Sequence, residues 1–189
     1  MEADPTMELT EKTLSSRLVY DGGLLKVYYD TVELVDGSTS WREVVRHPGA
    51  VVMVPVDGDG NVYLVRQYRY PYGRTTLEVP AGKLEYGEEP FPAAQRELEE
   101  EIGARAASWT PMGRMLPTPG FCDELQHVYL ARELDFGANH PDADEFLEIV
   151  RLPLREAEEM AVDGRLEDSK TVAAILRACR VLEREEHGR

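Results

Sequence analysis

The segment Gly82–Ala104 reads GKLEYGEEPFPAAQRELEEEIGA, and its carboxylates set how the rest of the chain is read. Glu97, Glu100 and Glu101 stand at i, i+3 and i+4. On a helix of 3.6 residues per turn, Glu97 and Glu101 lie about 40° apart around the axis, with Glu100 flanking them. The same helix turns Ala94, Leu98 and Ile102 toward a core, and Gly103 is a natural C-terminal stop. The spacing therefore predicts a helix over 92–102. Three like charges on one stripe repel by about a few tenths of a kcal/mol per pair, and a cation over the stripe reverses that sign. Oxygen ligands without imidazole or thiolate suit Mg²⁺ or Mn²⁺ better than zinc. Arg96, four residues before Glu100, can steady it. The competing reading is an ordinary Glu-rich helix with a solvated face.

Outward from this segment the pattern is mixed strand and helix. Upstream, Ala50–Val56 (AVVMVPV) is a continuous apolar run of the kind found in buried strands. Asp57-Gly58-Asp59-Gly60 turns the chain into a second strand over 61–70, and a third follows over 76–79. Further upstream, 15–20, 24–35 and 40–46 alternate, are rich in β-formers, and are separated by Asp-Gly turns. They predict a small antiparallel sheet that His47-Pro48-Gly49 breaks. This divides the chain into an N-terminal sheet region, 1–48, and a main domain, 49–189. Downstream, strands are expected near 126–130 and 146–152. One helix is expected near 154–162, and a last one from about 169 to 185, with Ser169 as its N-cap. The fold class is α/β with α+β mixing.

The 189 residues suit one domain with a small appendage. The formal charge of −15 argues against nucleic acid or an anionic membrane as partner. An anionic substrate would need a local reversal of sign, from a metal ion or a few placed arginines. Two cysteines, Cys122 and Cys179, make no disulfide framework and lack zinc-ligand spacing. No stretch approaches bilayer length, and MEADPTMELTEK has neither a basic nor an apolar leader region. A reducing, cytoplasmic setting is the expectation.

Gly82, Glu88, Arg96-Glu97-Leu98, Glu100-Glu101 and Gly103 resemble the Nudix hydrolase signature, G-x5-E-x7-R-E-U-x-E-E-x-G-U, where U is bulky and aliphatic. The one departure is Ala104 at the last U position. The resemblance implies an α/β/α sandwich whose loop-helix-loop binds divalent metal and cleaves a nucleoside diphosphate linked to a second moiety. It implies that Glu97 and Glu101 are the main metal ligands, with Glu100 and the Ala81 carbonyl assisting. Glu88 and Arg96 then brace the loop against the helix.

The flanks Leu77-Glu78-Val79-Pro80-Ala81-Gly82 and Pro117-Thr118-Pro119-Gly120-Phe121 resemble the ADP-ribose pyrophosphatase subgroup. That resemblance implies Mg²⁺-dependent hydrolysis of ADP-ribose to AMP and ribose 5-phosphate. It also implies a homodimer that exchanges the N-terminal sheet. Trp41 would stack on adenine or pack an interface; Arg42 and Arg69 would reach the nucleotide or form surface ion pairs. Pro119 is at the subgroup's proline position, and Glu124 matches a pocket carboxylate of some relatives. The base is expected in the loop 139–145, as Glu145 with Asp142 and Asp144 as alternatives; Ala143 replaces a glutamate that some relatives use there. Two other readings stay open: hydrolysis of another nucleoside diphosphate sugar or a broad range of them, and a non-catalytic nucleotide-binding module.

Overall fold

A computed structural model describes residues 9–23, 25–137 and 146–188. The described residues fall into two compact units, one made of residues up to His47 with Thr118–Glu124, the other of Pro48–Pro117 and Leu125 onward.

In the first unit, β1 (Lys12–Asp21), β2 (Lys26–Glu33) and β3 (Thr39–Arg46) form an antiparallel sheet in that order. Strand β2 holds the buried Asp30 and Val32, whereas every residue of β1 is exposed, Leu14, Leu18, Val19 and Tyr20 among them. The segment 118–124 joins this unit through the Val45 N–H, which donates to the Phe121 carbonyl at 2.7 Å, and the Asp123 N–H, which donates back to the Val45 carbonyl at 3.2 Å.

The second unit contains two sheets. One runs β7 (Ala81–Lys83), β4 (Ala50–Pro55), β9 (Gln126–Phe136), β8 (Ala104–Met115), with β4 and β9 parallel and the other pairs antiparallel. The other runs β10 (Glu148–Pro153), β5 (Asn61–Arg69), β6 (Arg74–Glu78). Strand β4 is buried on both faces, as its unbroken apolar run requires. Successive side chains alternate between faces. Val52 and Val54 meet a core that α2 (Leu154–Val162) and α3 (Ser169–Glu186) cover, and Val51 and Met53 meet one that α1 (Pro90–Ile102) covers. Helices on both faces make this an α/β/α sandwich with mixed α+β connectivity.

Two local readings change, and two strands went unread. Helix α1 starts two residues earlier than the spacing suggested, with Pro90 at a position where the missing N–H costs nothing. The segment 81–83, assigned no element from the sequence, is a short strand paired with β4. The N-cap of α3 is Asp168, whose carboxylate accepts the Thr171 N–H, and Ser169 is the first helical residue. Strand β8 was not legible, for its run contains Pro111 and Gly113. They sit at a register shift on an edge strand, where a residue without an N–H and one at positive φ are tolerated.

Candidate active site

Helix α1 ends at Gly103, which adopts a left-handed conformation and donates its N–H to the Glu99 carbonyl. That fixes the phase of its last two turns. Ala94, Leu98 and Ile102 enter the core, and Glu101 goes with them, only 3% exposed. A buried carboxylate needs donors. The Ala81 N–H, on β7, supplies one to Glu101 Oε2 at 3.1 Å. Glu97 lies one turn earlier, its side chain largely buried, and Glu100 is half exposed. The solvated-face reading of this helix therefore fails for Glu101.

Arg96 organises the acidic side chains. Its guanidinium meets Glu97 at 2.9 Å, Glu100 at 2.7 Å and Glu88 at 3.2 Å. Glu88 also accepts the Glu85 N–H at 2.9 Å. That bond, ahead of Arg96, holds its carboxyl below the usual range despite some desolvation. The link from Arg96 to Glu88 ties the 84–89 loop to the helix.

Gly82 faces Glu97. A Cβ at position 82 would lie 1.9 Å from the Glu97 carboxyl carbon and 2.2 Å from each of its oxygens. Strand β7 thus passes so close to the helix that only hydrogen fits between its backbone and this carboxylate. Among the described residues, no three His, Cys, Asp or Glu side chains are placed so that they alone could hold a metal ion. The donors present are hard oxygens from Glu97, Glu100 and Glu101 beside the β7 backbone. Hard oxygens of this kind suit a divalent ion that completes its shell with water and ligand oxygens rather than with an all-protein cage.

A second cluster lies at the other end of the same backbone segment. Arg69 closes a two-pronged fork on Glu78, Nε to Oε1 at 2.7 Å and Nη2 to Oε2 at 2.6 Å. Thr76 Oγ1 donates to Oε1 at 2.6 Å, and Lys170 Nζ donates to Oε2. Glu78 is 2% exposed. Burial disfavours its charge, yet Arg69 first, then Lys170 and Thr76, hold its carboxyl down to about 2. These side chains, with Tyr72, Arg74 and Ser169, line a cavity of about 460 Å³. Glu78 and Lys170 were not singled out in the sequence. Between Leu77 and Val79 in an alternating strand, Glu78 reads from the sequence as a solvent-facing residue, so no local signal pointed to it.

The remaining expected residues lie in the first unit. Trp41, 56% exposed, stacks on Tyr29 with ring centroids 5.8 Å apart and planes 12° from parallel. Arg42 pairs with Glu11 and donates to the Trp41 carbonyl at 2.8 Å. Pro119 occupies an exposed turn in which the Phe121 and Cys122 N–H groups donate to the Thr118 carbonyl, and Glu124 is half-buried. Glu145, Asp142, Asp144 and Ala143 lie outside the described residues.

Residues 45–177 match the NUDIX domain, and residues 11–45 match the nucleoside diphosphate sugar hydrolase N-terminal domain. The chain belongs to the Nudix hydrolase family. Over 88% of its length it is 42% identical to an ADP-ribose pyrophosphatase of Bacillus subtilis, covering 91% of that protein. It is 41% identical to a methanol dehydrogenase activator of Bacillus methanolicus, over 87% of this chain and 90% of that one. It is 38% identical to an ADP-ribose pyrophosphatase of Mycobacterium tuberculosis, over 87% and 81%. A crystal structure of an ADP compounds hydrolase superposes with a TM-score of 0.84 at 25% identity, covering 94% of this chain and 97% of that one. Helix α1 and Gly82, which carry the signature-like spacing, lie within the matched residues 45–177. No helix among the described residues is long and apolar enough to cross a membrane.

Proposed function

We propose that this Nudix hydrolase cleaves the pyrophosphate of ADP-ribose to AMP and ribose 5-phosphate, with Mg²⁺ as its metal and Mn²⁺ able to replace it. The observation that carries the ADP-ribose choice is the likeness, over most of both chains, to ADP-ribose pyrophosphatases at 42% and 38% identity. The site chemistry supports it. Glu97 and Glu101, assisted by Glu100 and the Ala81 carbonyl, would hold the divalent ion. When bound, such an ion offsets pyrophosphate charge, polarises phosphorus and acidifies a coordinated water.

The chain's own residues divide the rest of the work. Arg69 uses two of its five N–H groups on Glu78, and the other three lie outside that fork to receive phosphate oxygens. Trp41 stacks on adenine, Arg42 assists there, and the Pro119 turn with Glu124 borders the nucleotide. Glu145 accepts the proton of the attacking water, with Asp142 and Asp144 as alternatives. The wholly exposed β1, carrying four large apolar side chains, supports a homodimer that covers this strand.

A substrate panel tests the reading. ADP-ribose, GDP-mannose, UDP-glucose and dinucleotides are incubated with Mg²⁺ and the nucleotide product is separated. ADP-ribose is expected to give AMP with the highest kcat/KM. A clear preference for a non-adenine sugar instead favours the second reading, another nucleoside diphosphate sugar, which the N-terminal domain match supports on its own. Light scattering after size exclusion is expected to give twice the chain mass, and a monomer would remove the dimer.

A further inference from the structure

We propose that Glu78 and Lys170 are positioning residues for Arg69, so that the first turn of α3 sets how well the site receives phosphate. The inference rests on the reading of Arg69 as a phosphate ligand and adds two side chains that the Nudix signature does not contain.

The geometry is that of an over-determined carboxylate. Glu78 accepts four donors, one for each of the roughly four lone-pair sites an ionised carboxylate offers. Neither oxygen keeps a site with which to turn. The guanidinium plane of Arg69 is therefore fixed by Glu78, and Glu78 is fixed by Lys170 and Thr76. Lys170 is itself held, its Nζ lying 3.0 Å from the N-cap carboxylate of Asp168. The next residue, Thr171, accepts the Val79 N–H on Oγ1 at 2.9 Å. The first turn of α3 thus grips both the side chain of Glu78 and the backbone of Val79. Two residues further on, the Ala81 N–H holds Glu101. One four-residue stretch carries the anchor for Arg69 at one end and a carboxylate anchor at the other.

Charge favours the same role. Arg69, Lys170, Glu78 and Asp168 sum to zero, so an anionic substrate meets a neutral wall. Without Lys170 the four sum to −1 in a chain already at −15. The adjoining cavity would then give the released Glu78 oxygen room to swing, and Arg69 would turn with it. Stability alone does not call for a second cation on this carboxylate, because buried ion pairs are a weak source of net stability.

A double-mutant cycle decides it. Lys170→Met, Arg69→Ala and the double variant are compared for ADP-ribose hydrolysis with Mg²⁺ and for metal-free ADP-ribose binding by calorimetry. Lys170→Met is expected to raise KM and Kd on the order of tenfold, the loss typical of a hydrogen bond to a charged group. Its kcat is expected to stay within about twofold, because ground-state and transition-state binding fall together. Lys170→Arg is expected to restore both constants. In the Arg69→Ala background Lys170→Met is expected to add only the small part of its loss that comes from charge alone. If Lys170→Met binds like wild type, or its full loss reappears in that background, the proposal is overturned while Arg69 keeps its role. If Arg69→Ala itself binds like wild type, the Arg69 assignment falls and the proposal falls with it. Should the methionine variant fail to fold, Lys170→Gln takes its place in the cycle.

Discussion

Gly82 and Glu97 are separated by less than the width of a methyl group. A Cβ on the glycine would stand 1.9 Å from the glutamate's carboxyl carbon, well inside any contact distance. The glycine of the Nudix signature is thus a clearance between strand β7 and helix α1. Its φ is not in the left-handed region, so backbone conformation does not demand it. Gly82→Ala is expected to keep the fold and displace the Glu97 carboxylate. Misplacement by about 1 Å can cost on the order of a hundredfold in rate, so kcat is expected to fall by at least that much. Circular dichroism with steady-state kinetics checks it, and wild-type turnover in a folded Gly82→Ala protein would show the clearance to be idle.

Glu101 offers the complementary experiment. Its Oε2 accepts the Ala81 N–H, and a glutamine can accept the same bond through its amide oxygen. Glu101→Gln is expected to melt within a few degrees of wild type while losing turnover by about a thousandfold or more, because the charge that attracts a divalent ion is gone. Mn²⁺ binding by paramagnetic resonance is expected to weaken in parallel. A variant that still binds Mn²⁺ like wild type would break the ligand assignment.

The parts of this molecule legible in the sequence are those where one local signal dominates. Unbroken apolar residues mark β4, alternation marks β2 and β3, and the carboxylate spacing with Gly103 marks α1. What stayed hidden depends on partners far along the chain. Glu78 looks like a solvent-facing strand residue until Arg69, nine positions away, and Lys170, ninety-two away, close on it. Strand β8 reads as loop because Pro111 and Gly113 punctuate it, and only its place at a sheet edge makes them harmless. Gly82 was legible as a signature position, but its reason, the bulk of the Glu97 carboxylate, was not.

The two tryptophans allow a direct test of the adenine reading. Trp109 donates its indole N–H to the Ala106 carbonyl and packs edge-on to Phe91 and Tyr129, whereas Trp41 is 56% exposed. Acrylamide is expected to quench mainly Trp41, and ADP-ribose to protect it. Base–aromatic stacking is worth about 1–3 kcal/mol, so Trp41→Leu is expected to raise KM by about tenfold or more with little change in melting temperature. Protection that persists in Trp41→Leu would assign the effect elsewhere.

Acid stability reports on Glu78. Its folded carboxyl is held down to about 2, below the 4.5 ordinary for a glutamate, because its cationic and hydroxyl partners outweigh burial. A depressed carboxyl contributes stability that is fully present above its unfolded value and lost as pH falls toward its folded value. Glu78→Gln removes that contribution. In urea titrations the gap between wild type and Glu78→Gln is expected to be constant above about pH 5 and to narrow between about 4.5 and 2. A gap independent of pH across that window would mean Glu78 is not ionised against its partners.

Cys122 and Cys179 give a final, independent reading of the core. Cys179, on α3, is buried, and burial first, then the nearby Glu158, pushes its thiol up to about 11. At pH 8 only about one Cys179 in a thousand is thiolate, the reactive form. Ellman's reagent is expected to modify Cys122, half exposed in the first unit, within minutes. Cys179 is expected to react only at the rate of opening of its core, and both thiols at once in denaturant. Replacing Cys122 with serine isolates the slow phase, whose rate then measures how often α3 lifts from the sheet. If the slow phase proved as fast as that of an unfolded thiol, α3 would not be packed as described.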